Sequence, residues 1–271
     1  MTNQLAGRIA VVTGGGRGFG RAIAERFARE GAAVTVTSRT QSELDRVAAG
    51  IRAAGGRALA VAGDVTDPRD VDRVIAETER QLGPVSLLVS NAGVPGPFGP
   101  VWTVDPEVWW RAQQVHVRAP FLYLHRLLPG MIERRAGRAI IVSALASRVV
   151  APYLSAYCVG KIAQTRITAE VAAETRELGV SVFAIDPGFV FTGIAEETMN
   201  SPDAQKWLPG MVDRIRERRD APDRDADLAR CTQRCLDLAS GRYDALSGRY
   251  MELGDDIDAM LRDAAAAAET K

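Results

Sequence analysis

The sequence predicts an α/β fold: a parallel β-sheet with helices packed on both faces. Three observations carry this. Short, nearly continuously apolar runs alternate with helical patterns along the chain. A glycine cluster, Thr13-Gly14-Gly15-Gly16-Arg17-Gly18-Phe19-Gly20, follows the first apolar run and opens the first helical pattern. No linker or low-complexity break divides the 271 residues, a length that suits a single domain, 1–271, of this class.

Residues 8–13 form the first strand, and the helical pattern after the glycines runs to Glu30, where Gly31 stops it. Residues 33–37 are β-rich, 43–54 helical, 58–62 a strand, 69–82 helical and 86–90 a strand. Residues 106–135 are helical, with a break or bend expected near Pro120, which lacks an N–H. Residues 138–142 are a strand and 154–178 one long helix. Residues 180–185 are a strand ending at Asp186-Pro187-Gly188; 226–239 are helical and 249–253 a last strand. Residues 191–225, rich in Pro, Met, Trp and charge, fit the alternation poorly and are expected to form a long irregular lid. Residues 255–271 form a tail whose alanine run, 264–268, is a helical or frayed end.

Net charge is zero and the pI is near 6.8, which gives no reason to expect nucleic acid or an anionic membrane as partner. The basic stretch 214–219 is flanked or interrupted by Asp213, Glu217 and Asp220 and reads as a solvated helix face. Three cysteines, Cys158, Cys231 and Cys235, are too few for a disulfide framework and lack a histidine to complete a metal set. No signal-peptide pattern and no apolar run of spanning length occurs, so a cytoplasmic protein is expected, with no metal.

The glycine cluster points to chemistry. Between a first strand and a first helix, glycines allow a tight turn and let backbone N–H groups approach a pyrophosphate at the helix N-terminus. The second strand ends Val36-Thr37-Ser38-Arg39, without the acidic residue that accepts hydrogen bonds from an NAD ribose. Ser38, Arg39 and Arg17 suit a 2′-phosphate, so NADP(H) is favoured over NAD(H).

Lysine is rare here: Lys161, Lys206 and Lys271 are the only lysines among 34 basic residues. Lys161 follows Tyr157 by four residues on the long helix, so phenol and ammonium share a face. A fixed positive charge beside a phenol lowers its pKa, making Tyr157 a candidate proton donor and acceptor.

Four pieces now stand in order: Thr13-Gly14 with Gly18 and Gly20; Asn91-Ala92-Gly93; Tyr157 with Lys161; Pro187-Gly188 with Thr192. Together they resemble the short-chain dehydrogenase/reductase family in its short form, over residues 7–254. The resemblance implies a Rossmann-type doubly wound parallel sheet of about seven strands, a nicotinamide cofactor, a small-molecule substrate, and a homotetramer or homodimer. It implies cofactor contacts from Gly14, Gly16, Arg17, Gly18, Phe19 and Gly20, and adenine contacts from Asp64 and Val65. Asn91, Ala92 and Gly93 would support the ribose side. Pro187, Gly188, Val190 and Thr192 would hold the nicotinamide and phosphate side. Tyr157 would exchange the substrate proton, and Lys161 would bind the nicotinamide ribose and lower the phenol pKa.

Two positions depart from the family pattern. The catalytic serine expected thirteen residues before the tyrosine is Ala144, and the expected asparagine is His116. Ser143 could serve if a bulge turned it inward, Ser147 could reach from the following loop, or His116 could donate or relay a proton. An undistorted strand would aim Ser143 away. His125 reads as a packed helix residue.

An NADP(H)-dependent oxidoreductase, reducing a carbonyl or oxidising the alcohol, is the leading expectation. A fold member with non-redox chemistry (cyclisation, dehydration or rearrangement) is the alternative that Ala144 and His116 motivate. A non-catalytic nucleotide-binding regulator fits poorly with a retained Tyr–Lys pair. Phe98, Trp102, Phe189, Met199 and Trp207 are candidate substrate contacts, with Phe191 nearby, and suggest a bulky hydrophobic, cyclic or polyketide-like ketone. The same aromatics could instead pack the lid or a subunit contact.

Overall fold

The computed structural model describes residues 3–269. Its strands are β1 (Ile9–Thr13), β2 (Ala33–Thr37), β3 (Arg57–Ala60), β4 (Leu87–Ser90), β5 (Gly137–Val142), β6 (Val180–Ile185) and β7 (Tyr250–Met251). They form one sheet in the order β3-β2-β1-β4-β5-β6-β7, and every pairing is parallel. This is a Rossmann-type doubly wound fold. The chain builds outward from β1 on one side and from β4 on the other, so a crevice opens where the order reverses.

The helices are α1 (Gly18–Arg29), α2 (Gln41–Ala53), α3 (Pro68–Leu82), α4 (Pro106–Gln113), α5 (Ala119–Glu133), α6 (Ser155–Thr175), α7 (Gly193–Asn200), α8 (Pro202–Trp207), α9 (Pro209–Asp220), α10 (Ala226–Ser240) and α11 (Ile257–Glu269). Successive strand residues point to opposite faces, which explains why the strands are apolar throughout. Val12, Val36 and Ile185 pack with Phe27, Leu44 and Leu236 on one face. Val11, Leu88 and Ile141 pack with Val74, Tyr123 and Leu127 on the other.

One expectation, an irregular 191–225, is revised, and two others are sharpened. Residues 106–135 are α4 and α5 joined by a π-helical turn, Gln114–Arg118, which ends two residues before Pro120. The segment 191–225 is not irregular: it holds α7, α8 and α9. Pro202 and Pro209 sit in the first turns of α8 and α9, where a missing N–H costs nothing, and the Ser201 side chain accepts from the Ala204 N–H. The alanine tail is the end of α11; Thr270 and Lys271 lie outside the described residues. Among the described residues no helix is long and apolar enough to cross a membrane. Cys158, Cys231 and Cys235 are free thiols.

Candidate active site

A cleft of about 600 Å³ lies over the reversal point of the sheet. Gly14, Gly16, Arg17, Gly18, Phe19, Ser38, Arg39, Asp64, Val65, Asn91, Ala92, Gly93 and Thr192 all line it. Gly20, Tyr157, Lys161, Pro187, Gly188 and Val190 are not among its lining residues; Tyr157 comes near it at Gly96, where an added Cβ would lie 3.6 Å from the Tyr157 nitrogen.

The glycine turn is shaped for close approach. Gly14 and Gly18 have φ of 64° and 56°, left-handed backbone that side chains disfavour. A Cβ at Gly20 would lie 2.3 Å from the Gly14 carbonyl oxygen, so this glycine serves helix-to-strand packing. The α1 N-terminus has neither a side-chain cap nor an acidic residue in its first turn. Its orphan N–H groups and positive dipole end therefore remain available to an anion. Asn91 holds the turn: its Nδ2 donates to the Thr13 carbonyl at 2.9 Å, and its N–H to Thr13 Oγ1 at 3.0 Å.

At the end of β2, Ser38 Oγ is buried without a hydrogen-bond partner and faces the glycine turn. Such an orphan suits a ligand oxygen. Arg39 is exposed on the cleft wall with no carboxylate partner among the described residues. Arg17 instead reaches across the cleft: its Nη2 meets Glu197 Oε1 of α7 at 2.9 Å. Both members of that pair are more than half exposed, a setting where ion pairs contribute little. Asp64 accepts from Thr66 N–H and Oγ1 at 2.8 and 2.7 Å. The residues therefore fit a dinucleotide, with the unpartnered Ser38 hydroxyl and the exposed Arg39 guanidinium together at the end of β2.

At the end of β6, Gly188 has φ of 80°, and the Phe189 N–H donates to Asp227 Oδ2 at 2.9 Å. Pro187 and Val190 are buried and shape this turn. Asp186 accepts from the Leu145 and Gly188 N–H groups, both at 3.3 Å. Burial raises its carboxyl above the usual range.

Tyr157 and Lys161 share a face of α6. The lysine Nζ lies 5.4 Å from the phenol ring centroid, and the His116 ring meets the same phenol edge-on at 5.4 Å. His116 Cε1 is 3.5 Å from the position a Cβ would take on Gly93, which ties this group to the cleft. The expected acidified phenol is not what the electrostatics give. Burial raises the Tyr157 pKa, and the Asp186 charge raises it further. Burial also lowers Lys161, to about 7.

His116 is fully buried. Burial, followed by the Lys161 charge, lowers its pKa to about 3. The ring is therefore neutral, and Nε2 must carry the proton it donates to the Val94 carbonyl at 2.8 Å. Nδ1 has no partner. The Ser143 hydroxyl donates to the Lys161 carbonyl at 2.9 Å, so the structure turns it into the α6 backbone rather than the cleft. Ser147 is buried on the short turn Leu145–Ser147.

Phe98, Leu154, Ala204 and Val212 form a small apolar cluster against which Tyr157, Cys158 and Met199 pack. The Trp207 ring packs at a tilt against Tyr153, with centroids 5.2 Å apart. Trp102 is 85% exposed and Phe189 43%, so neither joins the cluster. Sequence reasoning missed Glu43, Ile194 and Glu197 on the cleft wall, and Gln164 behind it. Glu43 lies in the first turn of α2, directly after the Ser38-Arg39 strand end, and could have been found from that position; no motif marks the others.

Fold and cleft together define a class, an α/β protein with a dinucleotide-shaped crevice at a sheet reversal. The chain belongs to the short chain dehydrogenase family, whose model matches residues 8–203. It is 32% identical over 266 residues to a short chain dehydrogenase of Pseudocercospora fijiensis, covering 96% of this chain and 84% of that one. A solved dehydrogenase/reductase from Sinorhizobium meliloti superposes with a TM-score of 0.77 at 28% identity, covering 93% of this chain and 95% of the other. A metagenomic short-chain oxidoreductase solved in complex with NADP gives a TM-score of 0.65 at 35% identity, covering 69% and 85%.

Proposed function

We propose that the chain is an NADP(H)-dependent oxidoreductase that reduces a hydrophobic, cyclic or polyketide-like ketone, or oxidises the corresponding alcohol. When bound, the nicotinamide supplies or accepts hydride at the substrate carbon. Tyr157 gives the proton to the developing alkoxide, or takes it in reverse. A phenol held protonated by burial suits the donor role in the reducing direction. Lys161 stabilises the phenolate as it forms, through a charge brought close in a desolvated site.

The observation that carries this reading is the pairing of a part-buried Tyr157 with a buried Lys161 on one face of α6, beside a cleft shaped by the glycine turn. Ser38 and Arg39 support NADP(H), as does the NADP complex of the 35% identical relative. The glycine turn, Asn91 to Gly93 and Thr192 would hold the cofactor. His116 orients the phenol by its edge contact; at a pKa of about 3 it is a poor proton relay near neutrality. The cluster of Phe98, Leu154 and Met199 beside Tyr157 supports an apolar substrate. The segment from α7 to α9 acts as the lid, with Ile194 and Glu197 on the cleft wall. Exposed Trp110, Phe121 and Ile162 on α4, α5 and α6 support self-association.

The test is purified protein with NADPH and a panel of hydrophobic ketones. Loss of reduced-nicotinamide absorbance with alcohol formation supports the reading. Product without net cofactor oxidation, or cofactor binding with no turnover, rejects it.

A further inference from the structure

Lys161 is 3% exposed, so its charged form depends on protein acceptors. It has two. Its Nζ donates to the Val142 carbonyl at 2.8 Å and to Gln164 Oε1 at 3.2 Å. The Gln164 side chain is itself buried, and its Nε2 donates to the His116 carbonyl at 3.0 Å. That carbonyl lies in the π-helical turn, and residue 120, which would close the ordinary helical bond onto it, is proline. Both ends of the amide are thus committed: Oε1 must accept and Nε2 must donate.

We propose that Gln164 is a positioning residue of the catalytic site, whose amide ties the Lys161 ammonium to the His116 carbonyl. An ammonium has three N–H donors and no acceptor. With two held by Val142 and Gln164, the third is the one left for the Tyr157 side. The inference rests on the Tyr157–Lys161 reading above. It adds that the lysine is aimed by the protein rather than left to rotate.

The groups that face Lys161 are few. The Tyr157 phenol lies on its own helix, the neutral His116 imidazole on the π-helical turn, and the Asp186 carboxylate at the end of β6. Asp186 favours the charged lysine, and burial opposes it. Gln164 adds a neutral acceptor on the favourable side. Gln164→Leu removes that acceptor at similar volume, and Gln164→Glu replaces it with a charge.

Three lysines in the sequence make a direct test possible. Side-chain carbon-labelled lysine gives one NMR signal per residue, and loss of a signal in Lys161→Met identifies Lys161. Its titration is followed in wild type, Gln164→Leu and Gln164→Glu. The proposal expects the Lys161 pKa to fall by about one unit in the leucine variant and to rise by about one in the glutamate variant. The pH at which ketone reduction declines should move in the same two directions. In Gln164→Leu, kcat should fall about tenfold or more, while ketone KM and NADPH affinity change less than about threefold.

A purely packing role would lower the melting temperature without moving the titration in opposite senses. Identical Lys161 titrations in all three proteins overturn the proposal, as does a shifted titration with unchanged kcat and pH profile. If Gln164→Leu does not fold, Gln164→Glu decides alone: an upward shift supports the proposal, and no shift overturns it. If the titrations move as expected but wild type oxidises no NADPH with any ketone, the lysine clamp stands and the oxidoreductase reading falls.

Discussion

His116 and Gly160 are in direct contact: a Cβ added at Gly160 would lie 2.5 Å from His116 Cβ and 2.8 Å from its Cγ. The missing side chain lets α6 close onto the π-helical turn. That approach places Lys161 and Gln164 beneath the turn and the Tyr157 ring against the imidazole. Gly160→Ala should therefore force the two segments apart and destabilise the protein by about 1–3 kcal/mol, as overpacking does. Urea unfolding with an unchanged slope and a lower midpoint is the expected result. Ketone reduction should fall as well, because the same movement displaces Lys161.

His116 should leave a signature in acid. Its pKa is lowered from 6.5 to about 3, so between those values the unfolded chain binds a proton that the folded chain refuses. The stabilisation is complete above pH 6.5 and is lost as pH falls toward 3. The expected slope is on the order of 1.4 kcal/mol per pH unit inside that window. His116→Asn has no such group. Unfolding midpoints measured at several pH values should decline more steeply in wild type than in this variant.

Lys161 sets a second pH dependence, on rate. Its pKa is lowered to about 7, so the ammonium that supports the phenolate is present below that pH and absent above it. Ketone reduction at saturating NADPH should decline as pH rises through about 7. A rate that climbs steadily through that range would contradict the assignment of Lys161 as the supporting charge.

Cofactor choice should depend on Arg39, a cleft-wall guanidinium at the end of β2 without a carboxylate partner among the described residues. Arg39→Ala should weaken NADPH binding by about tenfold, the scale of one charge-assisted contact, and leave NADH binding nearly unchanged. Fluorescence titration of both cofactors measures the two effects.

Much of this was legible from residue order. The apolar runs were readable because a parallel strand buried on both faces has no polar alternation to blur it. The glycine turn and the Tyr157–Lys161 spacing were readable because each is local. The helices between Gly193 and Asp220 were not: two of the three span eight residues or fewer, too short to show a helical period. The starts Ser201-Pro202 and Pro209 carried the signal that composition hid. Tyr157 is not acidified because helical spacing gives nearness but not desolvation: burial raises the phenol, and the Asp186 charge raises it further. Gln164 was invisible because the carbonyl it donates to, His116, comes from a distant element, as does Val142, the other acceptor of Lys161.

The most direct test compares wild type with Tyr157→Phe, both saturated with NADPH, on a hydrophobic ketone that wild type reduces. Removing the phenolic proton should lower kcat by about 10²- to 10⁴-fold, the range for a general acid, with NADPH affinity nearly unchanged. Near-normal reduction by the phenylalanine variant would contradict the account.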